Sequence, residues 1–213
     1  MSEAELLFLL KGLKWTLVLA AVSFLCGTVT GLAIALLRTS GHRAVERITA
    51  AYIAIFQGTP LLMQLFVIYY ALALYGLKID PWIAVAIAFT LHASAYLGEI
   101  WRGSIEAVPR GQVEAAEALS LSYFWRMKDI VLPQALRISL PATIGFLVQL
   151  IKGTSLAAFV GFTELTRAGT MVSNQIFKPL LVFGIVGILY FAICWPLSFF
   201  GSRLEYRFAA TTR

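Results

Sequence analysis

The sequence predicts an all-α membrane protein with five transmembrane helices and one large cytoplasmic loop, and three observations carry that prediction. Of 213 residues, 60% are hydrophobic and only 13% charged, against about 45–50% and about 25% in soluble domains. Mean hydropathy is +0.83. Charge-free windows of span length recur along the chain, and a charge at mid-bilayer costs about 2.5–3.5 kcal/mol. Soluble globular and disordered classes are thereby excluded. The length suits about five spans of roughly 20 residues with their loops, so residues 1–213 are expected to form a single transmembrane domain.

The first span is expected at Thr16 to Leu37, 22 residues without a charge, preceded by Lys11 and Lys14 and closed by Arg38. It is too long for a signal-peptide core, and no small-residue cleavage pattern follows it directly. The second, about residues 48–75, contains Gly58, Thr59 and Pro60; Pro removes a backbone donor, so this span is expected to be bent or broken. The third covers about 81–101, the fourth 138–163 with Lys152 inside it, and the fifth 179–202 with Pro196 as a possible kink.

Eleven Lys and Arg follow the first, third and fifth spans, against five on the other side, among them Lys78 and Lys178. That excess predicts an outside amino terminus and a cytoplasmic carboxyl terminus. A net charge of +6 fits membrane orientation rather than nucleic-acid binding. Cys26 and Cys194 both lie in apolar stretches and suggest neither a disulfide framework nor a metal site.

The cytoplasmic loop, residues 102–137, is too structured for a tether. Pro109 and Gly111 break the incoming helix, Gln112 to Leu119 consists of strong helix formers, and Ser122 is placed to cap a second short helix from Tyr123. Pro133 then resets direction before the fourth span. Small side chains at Ala115 and Ala116 beside Glu114 and Glu117, with Tyr123, Phe124 and Trp125 nearby, suit docking into a partner's groove. A surface helix folded on its own bundle fits the same residues.

Glu114, Ala115 and Ala116, followed by Ile130, Leu132 and Pro133, resemble the EAA loop of ABC importer permeases. FQGTPLLMQLF at Phe56 to Phe66, AYLGEIWRGSIEAVPRGQVEAAEAL at Ala95 to Leu119 and LIKGTSLA at Leu150 to Ala157 are similar to the polar amino acid uptake branch, with its histidine, glutamine and arginine permeases. The likeness runs from about Leu13 to Phe208. It implies the type I importer permease fold, in which this loop forms a coupling helix. Gln112, Glu114, Ala115, Ala116, Leu119, Ser120, Phe124 and Arg126 are then the residues that meet a cytoplasmic ATPase. Ser120 departs from the family, which usually has Gly at that helix end.

The resemblance further implies two ATPase copies, a second permease subunit, identical or paralogous, and an extracellular or periplasmic solute-binding protein. It places the chain in a bacterial inner membrane, among lipid, with an amino acid as substrate. No cofactor is expected in this chain, ATP and Mg belonging to the partner ATPase. The nearest phosphate-loop lookalike, Lys152 to Ser155, has Lys before Gly and lies in a span. With no GxSxG or HExxH pattern and histidines only at 42 and 92, the residues suggest no catalytic or metal site.

Polar residues inside spans usually face a bundle interior or a water-filled path. His92, Tyr96 and Glu99 share one helix face at i, i+4 and i+7, and Gln149 and Lys152 share another, with Thr154 and Ser155 a step further. In one reading these residues, with Gln57 at the broken span, line the substrate pathway and Lys152 meets a carboxylate. In the other, Lys152 pairs with Glu99, or Glu99 with Arg102, and His92 is a packing histidine. Glu164, Arg167 and Asn174 fall in the outer loop, as solvated charges or as a face toward the binding protein. Gly27 and Gly31 form a GxxxG whose default role is close helix packing. A self-contained secondary carrier is the alternative class, and would show internal repeats and mid-membrane coupling carboxylates; neither is visible.

Overall fold

The computed structural model describes residues 1–74, 76 and 80–211; Lys78 and Arg213, both counted in the charge asymmetry, lie outside them. The elements are α1 (Glu3–Arg38), α2 (Arg43–Gly58), α3 (Leu61–Leu74), α4 (Pro81–Glu106), α5 (Arg110–Ala118), α6 (Tyr123–Trp125), α7 (Leu132–Gly153), α8 (Leu165–Ile176) and α9 (Pro179–Thr211). A π-helical turn, Arg126–Val131, precedes α7, and a 3₁₀ segment, Thr154–Val160, follows it. Among the described residues, four stretches are long and apolar enough to cross a membrane, and five if the bent pair α2–α3 counts as one span.

α1 starts well before its apolar window because Ser2 and Glu5 form a reciprocal capping box, the Glu5 carboxylate accepting from the Ser2 amide at 2.6 Å. Its main partner is α4. The approach is set by glycine: a Cβ on Gly27 would stand 2.6 Å from the Ala93 Cβ, and one on Gly31 3.1 Å from the Gly98 amide nitrogen. The GxxxG therefore packs within the chain. Around this pairing lies a core of Leu19, Leu65, Val85, Phe89, Leu97, Phe146 and Leu150.

The break in the second span is a turn of 104° between α2 and α3. Thr59 is extended, as a residue before Pro prefers, and Pro60 brings no N–H to continue α2. Inside a bilayer the freed carbonyls need donors. The Thr59 hydroxyl donates to the Ile55 carbonyl at 2.7 Å, and the Gln64 amide donates to the Phe56 and Thr59 carbonyls at 2.7 and 2.9 Å.

Pro133 does not reset the chain's direction. It sits in the first turn of α7, directly after the π turn, so that Tyr123 to Val160 runs as one helical stretch. The wider register of the π turn accommodates the missing proline donor. Met127 and Val131 of that turn are buried with Val108 and Ala135. Ser122 is the residue before α6 but its side chain makes no capping bond.

Glu164 corrects the expectation of a solvated outer loop: it is fully buried. As the N-cap of α8 its carboxylate accepts from the Thr166 and Arg167 amides, both at 2.8 Å, while the Tyr190 hydroxyl of α9 donates at 2.9 Å and Thr16 of α1 at 3.4 Å. One carboxylate thus ties three helices. Arg167 donates to the Ala158 carbonyl at 3.0 Å, whereas Asn174 is exposed. Burial pushes the Glu164 carboxyl up, against the pull of these four donors. A folded state that holds the proton more tightly than the unfolded chain is most stabilised at or below the ordinary Glu value, 4.5, and loses that contribution as pH rises through the folded value. Between about pH 5 and about pH 8, the melting temperature of the wild type is expected to fall more than that of Glu164→Gln. Parallel curves from the two proteins would exclude Glu164 as the source.

Candidate functional site

The broken span faces the middle of α4 and the C-terminal end of α7 across a cavity of about 470 Å³. Its wall combines the break (Gln57 to Leu61) with His92 and Tyr96 of α4 and Phe146, Gln149 and Gly153 of α7. The wall carries no Asp, Glu, Lys or Arg. Gln57, Gly58, Thr59, Pro60 and Gln149 are exposed in the single chain, so the cavity is open-sided.

On the α4 side the chemistry is built by stacking. The His92 ring lies 4.5 Å from Tyr96, and Tyr96 stacks on Phe146 with ring centroids 5.4 Å apart. His92 Nδ1 meets Gln64 Oε1 at 3.1 Å. Gln64, 8% exposed, therefore links the cavity histidine to the bend. It was not among the residues expected from sequence, although a lone amide in the apolar run after Pro60 is a legible signal.

Four of the expected pathway residues, Gln57, His92, Tyr96 and Gln149, come together on this wall; Glu99, Lys152, Thr154 and Ser155 do not. Glu99 lies nearly two turns past His92, where the Arg102 guanidinium donates to it from both Nε and an Nη at 2.9 and 2.5 Å and reaches Glu106 as well. Lys152 is exposed and makes no ion pair or hydrogen bond to another described side chain. The Glu99–Lys152 pairing is thus absent, and the alternative with Arg102 is present. The Thr154 and Ser155 hydroxyls donate to the Ile151 and Lys152 carbonyls, closing the end of α7. Among the described residues, no three His, Cys, Asp or Glu side chains converge as metal ligands.

A second site is the loop between α4 and α7. α5 rests on the π turn, and Arg126 pairs with Glu117 across that contact. Gln112, Glu114, Ala115, Leu119 and Ser120 are exposed on α5 and its end, as is Phe124 beyond it. Ala116, expected beside Ala115 on the docking face, is only 1% exposed and packs inward. One residue step rotates a helix by roughly 100°, so adjacent alanines cannot share a face. Ser120 takes the left-handed conformation, φ 55°, that usually favours Gly. The Leu121 amide bonds the Ala116 carbonyl and the Ser120 amide that of Glu117, which is the Schellman ending of α5.

Residues 27–212 match the family described as "Binding-protein-dependent transport system inner membrane component". The chain belongs to this family. It is a multi-pass membrane permease component of ABC transporters. The permease is 36% identical over 202 residues to the probable amino-acid ABC transporter permease protein YckA of Bacillus subtilis (strain 168), covering 95% of this chain and 89% of that protein. It is 36% identical over 203 residues to the arginine transport system permease protein ArtQ of the same organism, covering 93% and 91%. The crystal structure of an amino acid ABC transporter with histidines superposes with a TM-score of 0.87 at 32% identity, over 94% of each chain. The permease therefore has the type I importer fold that the resemblance implied.

Proposed function

We propose that this permease carries polar amino acids inward, by alternating access, for an importer whose ATP hydrolysis takes place on a separate subunit. The observation that carries the substrate class is the likeness to an amino acid ABC transporter over 94% of both chains, joined by relatives named for amino acids. The cavity at the broken span is the part of this chain that meets the substrate. Its position supports that role, because discontinuous helices offer backbone groups at membrane depth, and its amide, imidazole and phenol groups suit a polar solute.

In this reading the exposed face of α5, with Phe124 and Arg126 behind it, couples to one of two cytoplasmic ATPase copies that hold ATP and Mg. A second permease, identical or paralogous, closes the open side of the cavity, and a solute-binding protein delivers substrate at the far end. The chain is a single transmembrane domain without enzymatic activity of its own, set in a bacterial inner membrane with its amino terminus outside and its carboxyl terminus cytoplasmic.

Proteoliposomes holding the permease and its ATPase are expected to accumulate labelled polar amino acids only with ATP and the loaded binding protein. A cysteine at Gly41, in the exposed turn after α1, is expected to stay shielded from an impermeant thiol reagent applied from outside. Uptake driven by an ion gradient without the ATPase would establish the secondary-carrier alternative instead.

A further inference from the structure

We propose that Gln64 is a positioning residue that fixes His92 with its proton on Nδ1, so that the cavity presents a bare Nε2 to the α-ammonium group of the solute. The inference rests on reading the cavity as part of the substrate path.

The Gln64 amide end lies 2.7 Å from the Phe56 carbonyl, 2.9 Å from the Thr59 carbonyl and 3.0 Å from the Thr59 hydroxyl oxygen. Both carbonyls accept only. The Thr59 hydroxyl has already given its proton to Ile55, so it too accepts at this point. Turning the amide over would set its oxygen against three acceptors and strip the bend of its donors inside the membrane. The Gln64 nitrogen must therefore face the bend and its oxygen must face His92.

A carboxamide oxygen only accepts, so Nδ1 of His92, 3.1 Å away, donates. In the neutral ring a proton on Nδ1 leaves none on Nε2. Nε2 makes no hydrogen bond to any described residue, yet it is not among the sealed, unpartnered buried atoms. It therefore opens toward the cavity that His92 lines. Tyr96 and Phe146 hold the ring in its plane. With no charged side chain on the wall, a bare nitrogen there attracts a donor such as an α-ammonium and disfavours a carboxylate.

The chain has two histidines, so His42→Gln leaves His92 as its only imidazole signal. Permease carrying ¹⁵N-labelled histidine, assembled with unlabelled partners in nanodiscs, reports which ring nitrogen is protonated. We expect the Nδ1–H form in the wild-type background. Gln64→Leu should redistribute the ring toward Nε2–H. A wild-type ring protonated on Nε2 overturns the assignment even if Gln64→Leu fails to assemble. L-glutamine and L-arginine serve as probes, with glutaramate as the glutamine analogue lacking the α-ammonium. The Nε2 resonance should respond to at least one amino acid and not to glutaramate, and the half-saturating concentration should rise about tenfold in Gln64→Leu. An equal response to glutaramate overturns recognition of the ammonium. The expected tautomer with no response to either amino acid removes the cavity from the substrate path while leaving the role of Gln64 in place.

Discussion

Gly27→Ala is expected to cost the folded permease about 2–3 kcal/mol and to lower both its melting temperature and its accumulation in the membrane. The new methyl would stand 2.6 Å from the Ala93 Cβ and 3.3 Å from the Ala93 carbonyl carbon and the Ser94 amide nitrogen. Two of those neighbours are backbone, so no rotamer change relieves the contact, and α1 must move off α4. That displacement is costly because Ser94 is also the partner of the Tyr52 hydroxyl, at 2.6 Å, which ties α2 to the same stretch of α4. Ala93→Gly removes the nearest atom, so the double variant should recover a good part of the loss. Unfolding in detergent, followed for the two single variants and the double variant, decides it. Full stability of Gly27→Ala would mean that α1 and α4 do not approach this closely.

Ala115→Trp is expected to uncouple transport while leaving the permease folded. Ala115 is exposed beside Gln112 and Glu114, and Leu119 one turn on is 75% exposed. A bulky ring on that face obstructs a partner's groove and not the chain's own packing. At the centre of an interface such a change is worth about 2 kcal/mol, or about thirtyfold in ATPase association. Ala116→Trp makes a useful contrast. At 1% exposure it overpacks the chain itself and should lower stability by about 1–3 kcal/mol, whether or not ATPase is present. Normal ATP-driven uptake by an Ala115→Trp complex would falsify the assignment of this face as the docking element.

The two alanines also illustrate why patterns of residue type reach further than patterns of residue orientation. Glu114, Ala115 and Ala116 are recognisable as a motif in the order of the letters, yet the direction each side chain points depends on the phase at which α5 settles on the π turn. The same limit applies to α7. Gln149 and Lys152 are three residues apart and nominally share a face, but only Gln149 reaches the cavity wall. Glu99 and Lys152 look like natural ion-pair partners in an apolar chain. The Arg102 guanidinium, one turn from Glu99 on the same helix, makes the bidentate pair instead; no long-range closure is needed for it.

The class of molecule was determined by the sequence alone. Apolar windows free of charge specify membrane helices because transfer of side chains to lipid is a local quantity, summed residue by residue. The break at Gly58 to Pro60 was likewise determined locally, since the missing donor of Pro60 is covalent chemistry that no packing restores. Tertiary structure decided what these elements do together. Gln64 and His92 stand 28 residues apart and meet only because the 104° bend folds α3 back against α4. Glu164 reads as a loop charge in the sequence, and becomes a buried tie only when Thr16 and Tyr190 arrive from the two ends of the chain. Burial and hydrogen-bond partnership are properties of several segments at once, so they are fixed by how the helices pack and not by any one stretch of residues.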